Sequence, residues 1–378
     1  MRIGIDYTAA VRQQAGIGRY ARSLIRALSR LDHSNDYVLL SAGRDPSREP
    51  WPANFRSRSL PLTDRHLSIL WQKLRVPLPV EWLTGPLDLF HSPDFVLPPV
   101  RRARTVLTIH DLSYLRLPEC SSPALLSYLL DAVPRSVARA DLILADSLST
   151  QQDLIELMAV PAERIRVIYP AVDATFSRSD SAQIAAVRAR HRIDGPYILS
   201  VGTLQPRKNY VRLIEAFHLL RQTQGVSHSL VIAGGPGWLY EPIYETIATL
   251  GLQDEVRMLG YVDERDLPAL YTGADVFAFP SLYEGFGFPV LEAMACGTPV
   301  VAANTSSLPE AAGEAAILVS PTDTEALTEA LGRAIADTET RERLTRLGYR
   351  QCRCFSWEAS AQELLASYQG LMNGDQYV

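Results

Sequence analysis

The sequence is poor in cysteine and has no long apolar run. Its four cysteines form neither a C-x-x-C pair nor a zinc-binding spacing, so their scatter suits reduced thiols rather than disulfides or a structural metal. No uninterrupted apolar stretch approaches the roughly 18 residues of a membrane span. The opening MRIGIDYTAA reads as a first strand rather than a signal peptide. These absences predict a cytoplasmic protein.

Lysine is almost absent, since only Lys73 and Lys208 occur among 37 basic residues. The formal net charge of −5 is also unevenly placed, since residues 1–175 carry a small positive excess and the remainder is acidic. The first half of the chain is therefore the half that can face an anionic partner.

Short β-branched runs alternate with helical patterns, which is the signature of parallel sheets with helices on both faces. A length of 378 residues predicts two domains, and the pattern breaks at VDATFSRSDSAQ. We therefore predict an α/β fold of two doubly wound, Rossmann-like parallel-sheet domains that face an interdomain cleft, with residues 1–175 in the first and 176–356 in the second. The predicted strands are RIGID, YVLLSA, LDLFHS, TVLTIHD, DLILADS and RVIYPA, then YILSVG, SLVIAGG, VRMLGYV, DVFAFPS, PVVAAN and AAILVS.

Several polar residues and glycines fall where predicted strands end. Ligands of parallel sheets bind at the carboxyl ends of the strands, where this sequence has His91, His110, Gly202, Gly234 and Ser281. A single histidine at such a place is more often a structural residue, although a strand end that faces a cleft also suits a functional one.

The segment AGIGRYA contains Gly16, Gly18 and Ala21, which match the dinucleotide fingerprint G-x-G-x-x-A in letters. In that fingerprint the first glycine follows its strand almost at once, whereas here YTAAVRQQA stands between Asp6 and Gly16. Three interpretations stay open: a nicotinamide site, an ordinary turn, and a loop whose backbone N–H groups bind a phosphate at a helix N-terminus.

Arg207 and Lys208 stand in VGTLQPRKN, between a predicted strand and the helical segment YVRLIEAFHLL. Two adjacent cations oppose the positive end of a helix dipole unless an anion lies between them. A bound diphosphate removes that conflict, and the alternative is a pair of solvated surface charges. The chain has no Asp-x-Asp pair to hold a metal ion, so a diphosphate here depends on cations from the protein.

The stretch SLYEGFGFPVLEAMACGTPVV places Glu284 before a helix and Glu292 inside it. Pro289 suits the first turn and Gly297 the position after the end, which predicts a helix over residues 288–296. The backbone of the Gly-rich turn can approach a ligand closely. Hydroxyl groups on both sides of a phosphate fit the two carboxylates, and a capped surface helix is the alternative.

Taken together, these segments resemble the group-1 (family 4) retaining glycosyltransferases of the GT-B fold, and among them the mannosyltransferase-like members. The resemblance covers nearly the whole chain and rests on GIGRYARSL, HSPDFVLP, TIHDLSY, ADSLSTQQDL, IYPAVD, VGTLQPRKN, GYVDERDLPALYTGADVFAFPS and the E-x7-E segment.

The resemblance implies roles for particular residues. Glu284 is expected to hold hydroxyls of the donor sugar, Glu292 the ribose, and Arg207 with Lys208 the diphosphate, while His110 lies near the donor sugar. With His110, Arg207, Lys208 and Glu284 as the catalytic group, the expected donor-binding residues are Gly16, Gly18, Gly202, Thr203, Tyr261, Val262, Gly285, Phe286, Gly287, Phe288, Leu291 and Glu292. Thr203 departs from the family pattern, in which several members carry Arg.

The implied activity is metal-independent transfer of a hexose with retention of configuration. The expected donor is GDP-mannose or a UDP-hexose, the acceptor is a glycan or a lipid-linked glycan, and neither a cofactor nor a nucleic acid takes part. The first domain is then the acceptor side, and residues 357–378 cross back onto it. A sugar-nucleotide epimerase or hydrolase of the same fold stays open, as does a nicotinamide-dependent oxidoreductase based on GIGRYA.

Residues 65–83, RHLSILWQKLRVPLPVEWL, mix cations with large apolar side chains, and RRAR at 101–104 adds three cations. A helix that packs on the first domain's sheet accounts for this pattern. The alternative is a peripheral membrane contact, because basic and aromatic residues together favour an anionic bilayer surface.

Overall fold

The computed structural model describes residues 1–13, 16–43 and 49–374. The chain divides into two compact units: the first comprises Met1–Leu112, Pro123–Pro170 and the segment from Ser356 onward, and the second comprises Ser113–Ser122 and Ala171–Phe355. The short segment Ser113–Ser122 thus groups with the second unit, although the sequence assigned it to the first domain. There the indole N–H of Trp238 donates to the Cys120 carbonyl oxygen at 2.7 Å.

Each unit contains one parallel sheet, which confirms the predicted α/β class with two parallel sheets. The first sheet has the order β3-β2-β1-β4-β5-β6-β7 and the second β10-β9-β8-β11-β12-β13, where the strands are β1 Arg2–Asp6, β2 Asp36–Ala42, β3 Phe55–Leu60, β4 Leu89–Ser92, β5 Arg104–Ile109, β6 Leu142–Ala145, β7 Ile165–Val167, β8 Tyr197–Val201, β9 Ser229–Ala233, β10 Val256–Gly260, β11 Val276–Phe279, β12 Val300–Ala303 and β13 Ala316–Val319. The sequence did not predict β3, because its four central residues are exposed at the sheet edge.

Helices connect the strands throughout the described ranges. They are α1 Thr8–Arg12, α2 Ile17–Leu31, α3 Asp64–Ser68, α4 Glu81–Thr84, α5 Ser113–Arg116, α6 Pro123–Arg139, α7 Leu148–Met158, α8 Ser181–His191, α9 Tyr210–Gln224, α10 Glu241–Thr249, α11 Leu267–Gly273, α12 Phe288–Ala295, α13 Leu308–Ala312, α14 Thr324–Ala336, α15 Thr338–Cys352 and α16 Trp357–Asn373. No helix within residues 1–13, 16–43 and 49–374 is long and apolar enough to cross a membrane.

Local sequence explains where many of these helices begin. Several helices are preceded by a residue whose side chain accepts a hydrogen bond from a backbone N–H of the first turn. These residues include Ser147, Asp180, Asp323, Asp337 and Ser356. Such caps satisfy N–H groups that have no partner inside the helix. The apolar faces of the helices pack on the sheets. In the second unit the core includes Ile198, Phe217, Leu230, Ile232 and Leu331, all fully buried.

The final helix, α16, packs on α2 within the first unit. Its Tyr368 hydroxyl lies 2.7 Å from Nδ1 of His91, and its Ser360 hydroxyl donates to the Tyr169 carbonyl oxygen at 2.6 Å. The other ring nitrogen of His91 lies 2.9 Å from the Thr108 hydroxyl, and burial lowers the pKa of His91 to about 3. His91 is therefore a neutral structural residue that ties α16 to the end of β4.

Candidate functional site

The loop after β8 is fixed by close contact with the loop after β9. The backbone N–H of Gly202 donates to the Ala233 carbonyl oxygen at 2.9 Å, and the N–H of Leu204 donates to the Gly235 carbonyl oxygen at 3.0 Å. A Cβ atom on Gly234 would lie only 1.8 Å from the Gly202 carbonyl oxygen, so no larger residue fits there. The two strand ends thus hold the loop that carries the basic pair.

Gly202 makes room for the lysine side chain. It has φ +154°, and a Cβ atom there would lie 3.1 Å from Cε of Lys208 and 3.2 Å from the Tyr210 hydroxyl. That hydroxyl donates to the Gly202 carbonyl oxygen at 2.9 Å. Glycine is favoured here because of both its backbone conformation and its missing side chain.

Arg207 and Lys208 lie in a short 3-10 turn, Pro206–Lys208, which leads into α9. The turn is anchored by Asn209, which has a left-handed backbone and donates from its side-chain amide to the carbonyl oxygens of Pro280 (3.0 Å) and Pro321 (2.7 Å). The turn therefore has a fixed place relative to the ends of β11 and β13.

Arg207 is also tied to the segment that follows β11. Its carbonyl oxygen accepts from the N–H of Leu282 at 2.8 Å, and its guanidinium donates to the Tyr283 carbonyl oxygen at 2.6 Å. These bonds bring the basic pair next to the first carboxylate of the E-x7-E segment.

Glu284 forms ion pairs with both cations. Its Oε2 lies 2.8 Å from Nη1 of Arg207, and its Oε1 lies 2.6 Å from Nζ of Lys208. Nζ of Lys208 also lies 4.8 Å from the centre of the Phe279 ring, within the range of a cation–π contact. Burial alone would raise the pKa of Glu284, but attraction from Arg207 and Lys208 outweighs it and lowers the pKa to about 2. The three side chains therefore form an ionised cluster with one net positive charge.

Two serines that follow β12 hold the backbone of Glu284. Its N–H donates to the Ser306 hydroxyl at 2.9 Å, and its carbonyl oxygen accepts from the Ser307 hydroxyl at 2.8 Å. The ends of β8, β11 and β12 thus all contribute to the cluster, as expected for the ligand edge of a parallel sheet.

The E-x7-E helix, α12, begins at Phe288 as predicted and ends at Ala295, one residue before the predicted end. Gly287 precedes it with φ +109°, and a Cβ atom there would lie 2.7 Å from the Leu308 side chain. Glu292 is buried within the helix, and one of its carboxylate oxygens accepts from the Tyr271 hydroxyl at 2.8 Å. The second carboxylate therefore contacts a tyrosine, whereas the first contacts two cations.

The other expected donor-binding residues of the second unit differ in exposure. Thr203 and Tyr261 are exposed, whereas Val262 and Gly285 are buried. Leu291 is fully buried, and its carbonyl oxygen accepts from the Cys352 thiol.

The aromatic side chains of the Gly-Phe-Gly-Phe turn pack against each other. The Phe286 ring makes edge contacts with the Phe288 and Phe355 rings, with centres 5.9 and 5.3 Å apart. Phe286 is buried, and Phe288 is partly exposed.

His110 lies at the end of β5 in the first unit, and both of its ring nitrogens have partners there. Nδ1 lies 2.7 Å from Oδ2 of Asp146, and Nε2 lies 3.0 Å from the Pro93 carbonyl oxygen. Burial would lower the pKa of His110, but the Asp146 carboxylate outweighs it, helped by Asp94, and raises the pKa to about 9. His110 is therefore an imidazolium at neutral pH, and it donates to Asp146 and to Pro93.

Gly16 and Gly18 begin α2 in the first unit. Gly16 has φ +56° and no atom within 4 Å of its would-be Cβ, whereas a Cβ atom on Gly18 would lie 2.0 Å from the Gln13 carbonyl oxygen. The close packing of α1 on α2 thus requires Gly18. Because α1 stands between β1 and these glycines, the segment lacks the direct strand-to-glycine turn of a dinucleotide-binding site.

The sequence interpretation missed several residues of these two sites. Asp146, Ser306 and Ser307 follow the strands β6 and β12, so the rule of strand ends could have found them. Tyr210 and Tyr271 lie on helices, and no local pattern marks a hydroxyl that reaches the site. Within the described ranges no three His, Cys, Asp or Glu side chains are grouped as metal ligands.

Two family models match the chain. Residues 184–351 match the model described as glycosyl transferases group 1, and residues 15–176 match the model described as glycosyltransferase family 4. The boundary between the matches lies close to the start of α8.

The chain is similar to a relative over almost its entire length. It is 31% identical over 368 residues to the O-antigen chain mannosyltransferase B of Escherichia coli, with 94% of this chain and 96% of the relative covered.

Two solved structures are also similar. Sucrose-phosphate synthase from Thermosynechococcus elongatus has a TM-score of 0.78 and 23% identity, with 99% of this chain and 100% of that chain covered. Anabaena HepE, solved in complex with UDP and glucose, has a TM-score of 0.76 and 20% identity, with 98% and 100% covered. These likenesses confirm the GT-B fold that the sequence predicted.

Proposed function

We propose that this chain, which belongs to the group 1 glycosyltransferases, transfers a hexose from a nucleotide diphosphate sugar to a glycan or lipid-linked acceptor. The observation that carries the proposal is the ion-paired cluster in which the buried Glu284 contacts the partly buried Arg207 and Lys208. Two cations fixed at the ligand edge of a parallel sheet suit a diphosphate, and a carboxylate beside them suits sugar hydroxyls.

The charges of the cluster favour a diphosphate. A cation about 4 Å from a phosphate charge gains ~4 kcal/mol at an effective dielectric constant near 20. Glu284 offsets part of this attraction, but the cluster retains one net positive charge. Because Glu284 also fixes both cations, they need no rearrangement when negative charge develops on the leaving group.

The proposed reaction is a front-face substitution. The acceptor hydroxyl attacks the anomeric carbon from the side on which the diphosphate departs, so one C–O bond forms as another breaks and the configuration is retained. A leaving-group phosphate oxygen takes the hydroxyl proton. Arg207 and Lys208 stabilise the departing diphosphate, and we infer that no metal ion is required for this role.

We propose GDP-mannose as the donor, with a UDP-hexose as the alternative. The name of the Escherichia coli relative, O-antigen chain mannosyltransferase B, supports mannose. The UDP and glucose with which HepE was solved support the alternative. The roles of Glu292 at the ribose, of Tyr261 and Val262 near the base, and of Gly16 and His110 near the phosphates and sugar belong to the same proposal.

The test is a transfer assay with GDP-mannose and α-linked mannose oligosaccharides in excess EDTA. We expect release of GDP only when the acceptor is present, and an α-linkage in the proton NMR spectrum of the product. The same assay with UDP-glucose in place of GDP-mannose tests the alternative donor. Loss of activity that magnesium restores would contradict the proposed metal independence, a β-linked product would contradict retention, and GDP release without acceptor would favour a hydrolase.

We also propose that the first unit contacts the cytoplasmic face of a membrane through a basic apolar surface. This surface combines exposed apolar side chains with exposed cations: Ile69, Leu74, Trp82, Lys73, Arg75, Arg101 and Arg102. Glu81 holds its parts together, since one carboxylate oxygen accepts from the N–H groups of Arg101 and Arg102 at 2.8 and 2.9 Å. Cations near an anionic bilayer contribute ~1 kcal/mol each, and exposed tryptophan favours the headgroup level.

Flotation with liposomes of increasing anionic lipid content tests this contact. We expect the protein to float at low salt and Trp82→Ser to float less, whereas Tyr244→Ser, at an exposed aromatic residue of the second unit, floats like the wild type. Sedimentation of the wild type with every lipid composition would contradict the membrane contact and favour a soluble acceptor.

A further inference from the structure

The first unit contains a cavity of about 380 Å³ at the carboxyl ends of its strands. Its wall includes Asp6 at the end of β1, Asp94 after β4, Trp71 and Gln72 in the turn after α3, and Tyr128 on α6. The volume lies within the range of roughly 300–1,000 Å³ that is typical of small-molecule sites. None of these residues belongs to the donor cluster described above.

Two carboxylates of the cavity wall, those of Asp6 and Asp94, form no ion pair with a described residue. Oδ1 of Asp6 accepts from the N–H of Thr8 at 2.9 Å, and burial raises the pKa of Asp6. Burial also raises the pKa of Asp94, to about 6, against the attraction of His110. Within the part of the chain that the structure describes, no side chain forms an ion pair or a hydrogen bond with the Asp94 carboxylate.

Such carboxylates indicate the chemistry of a ligand. A partly buried carboxylate that accepts few or no hydrogen bonds carries a desolvation cost, which ligand O–H groups would offset. A phosphate in the same place would face repulsion from both aspartates. Two other charges line the cavity, namely Asp64, which pairs with Arg12 at 3.5 Å, and Arg65, and both are exposed.

The aromatic wall of the cavity suits the apolar face of a sugar ring. Trp71 is buried, and its indole N–H donates to the Leu78 carbonyl oxygen at 3.1 Å, so the ring presents apolar surface to the cavity. Tyr128 is partly buried on another side. Aromatic walls with a few polar groups are the usual lining of such sites.

We propose that this cavity binds an uncharged, polyhydroxylated ring of the acceptor, with Asp6 and Asp94 accepting hydrogen bonds from its hydroxyls. This inference rests on the proposed function, because it names the acceptor class of the same transferase. It specifies a neutral sugar residue at the point of attachment and excludes a sugar phosphate there.

Ligand-observed NMR binding with two kinds of probe tests the inference. The probes are α-linked mannose oligosaccharides and mannose 6-phosphate, and binding of nucleoside diphosphate is measured on the same samples. We expect the oligosaccharide to bind and the phosphate to bind at least 10-fold more weakly. Asp94→Asn should weaken oligosaccharide binding at least 10-fold and leave nucleoside diphosphate binding unchanged.

Two controls separate binding from structure. Asp36→Asn changes an exposed aspartate at the opposite, amino end of a strand and should change neither affinity. Asp94→Asn should raise Tm, because it removes a charge that burial disfavours, whereas a carboxylate with only a structural role would lower Tm when replaced.

Some outcomes would overturn this inference alone. Equal binding of the phosphorylated sugar, unchanged oligosaccharide binding by Asp94→Asn, or a wild type that binds nucleoside diphosphate but no neutral oligosaccharide would each do so. Failure to bind nucleoside diphosphate would instead count against the proposed function.

Discussion

Replacement of Glu284 by glutamine tests the cluster that carries the proposed function. The change keeps the shape of the side chain but removes the charge that holds Arg207 and Lys208 at 2.8 and 2.6 Å. We expect turnover to fall by ~100-fold or more, which corresponds to ~2.7 kcal/mol at roughly 1.4 kcal/mol per factor of ten. The reason is that two cations lose their fixed positions while the donor loses a charged acceptor for its hydroxyls.

The same change has a consequence for stability that depends on pH. The pKa of Glu284 is about 2 in the folded protein against the ordinary 4.5, a difference of about 3 kcal/mol at 1.36 kcal/mol per unit. Because the folded-state pKa is lowered, this stabilisation is present above pH 4.5 and is lost as the pH falls toward 2. The difference in unfolding free energy between wild type and Glu284→Gln should therefore shrink by about half near pH 3.3.

The assay combines urea unfolding at pH 7 and pH 3.3 with steady-state transfer kinetics. Glu245→Gln, at an exposed glutamate on α10, is the matched control and should change neither quantity. The reasoning is refuted if Glu284→Gln keeps wild-type turnover, or if its loss of stability is the same at both pH values.

Two further substitutions test individual contacts. Gly202→Ala, which would press on Lys208, should raise the donor KM by ~10-fold, about 1.4 kcal/mol, whereas Gly225→Ala, at a positive φ with open space around it, should not. Asp146→Asn should remove a pH dependence of stability. The pKa of His110 is about 9 in the folded protein against the ordinary 6.5, so His110 stabilises the fold below pH 6.5. About 3 kcal/mol of this stabilisation is lost as the pH rises through 9. Thermal unfolding at pH 6.5 and 9 measures that loss, and an unchanged pH profile in Asp146→Asn would contradict it.

The sequence predicts much of the fold because its signals are local. Pro289 and Gly297 mark the two ends of α12 within one residue, and the alternation of buried runs predicts the two parallel sheets. Strand β3 was not predicted from the sequence, because an edge strand with exposed polar residues lacks the apolar pattern of a strand. Contacts between helices were not predictable for another reason. The hydrogen bond between Tyr271 on α11 and Glu292 on α12 depends on which sides of the two helices face each other, and packing decides that.

The candidate site shows the same contrast. Arg207 and Lys208 stand out in the sequence because they follow a strand and oppose a helix dipole. The sequence assigns Glu284 to the donor sugar, but it gives no sign that this carboxylate pairs with both cations, because the contact depends on how three loops meet. The cavity around Asp6 and Asp94 is equally invisible, since each aspartate alone looks like an ordinary strand-end residue.

The first unit is complete only after α16, Trp357–Asn373, has been synthesised, because this helix packs on α2. Tyr20 contacts the Trp357 ring, and His91 bonds to Tyr368, 277 positions later. The ribosome must first translate Ala171–Phe355, which takes about 10–40 s at 5–20 residues per second. All residues of the second unit, Ser113–Ser122 and Ala171–Phe355, are thus synthesised before α16, and until then the α16-facing side of α2 has no helix packed on it.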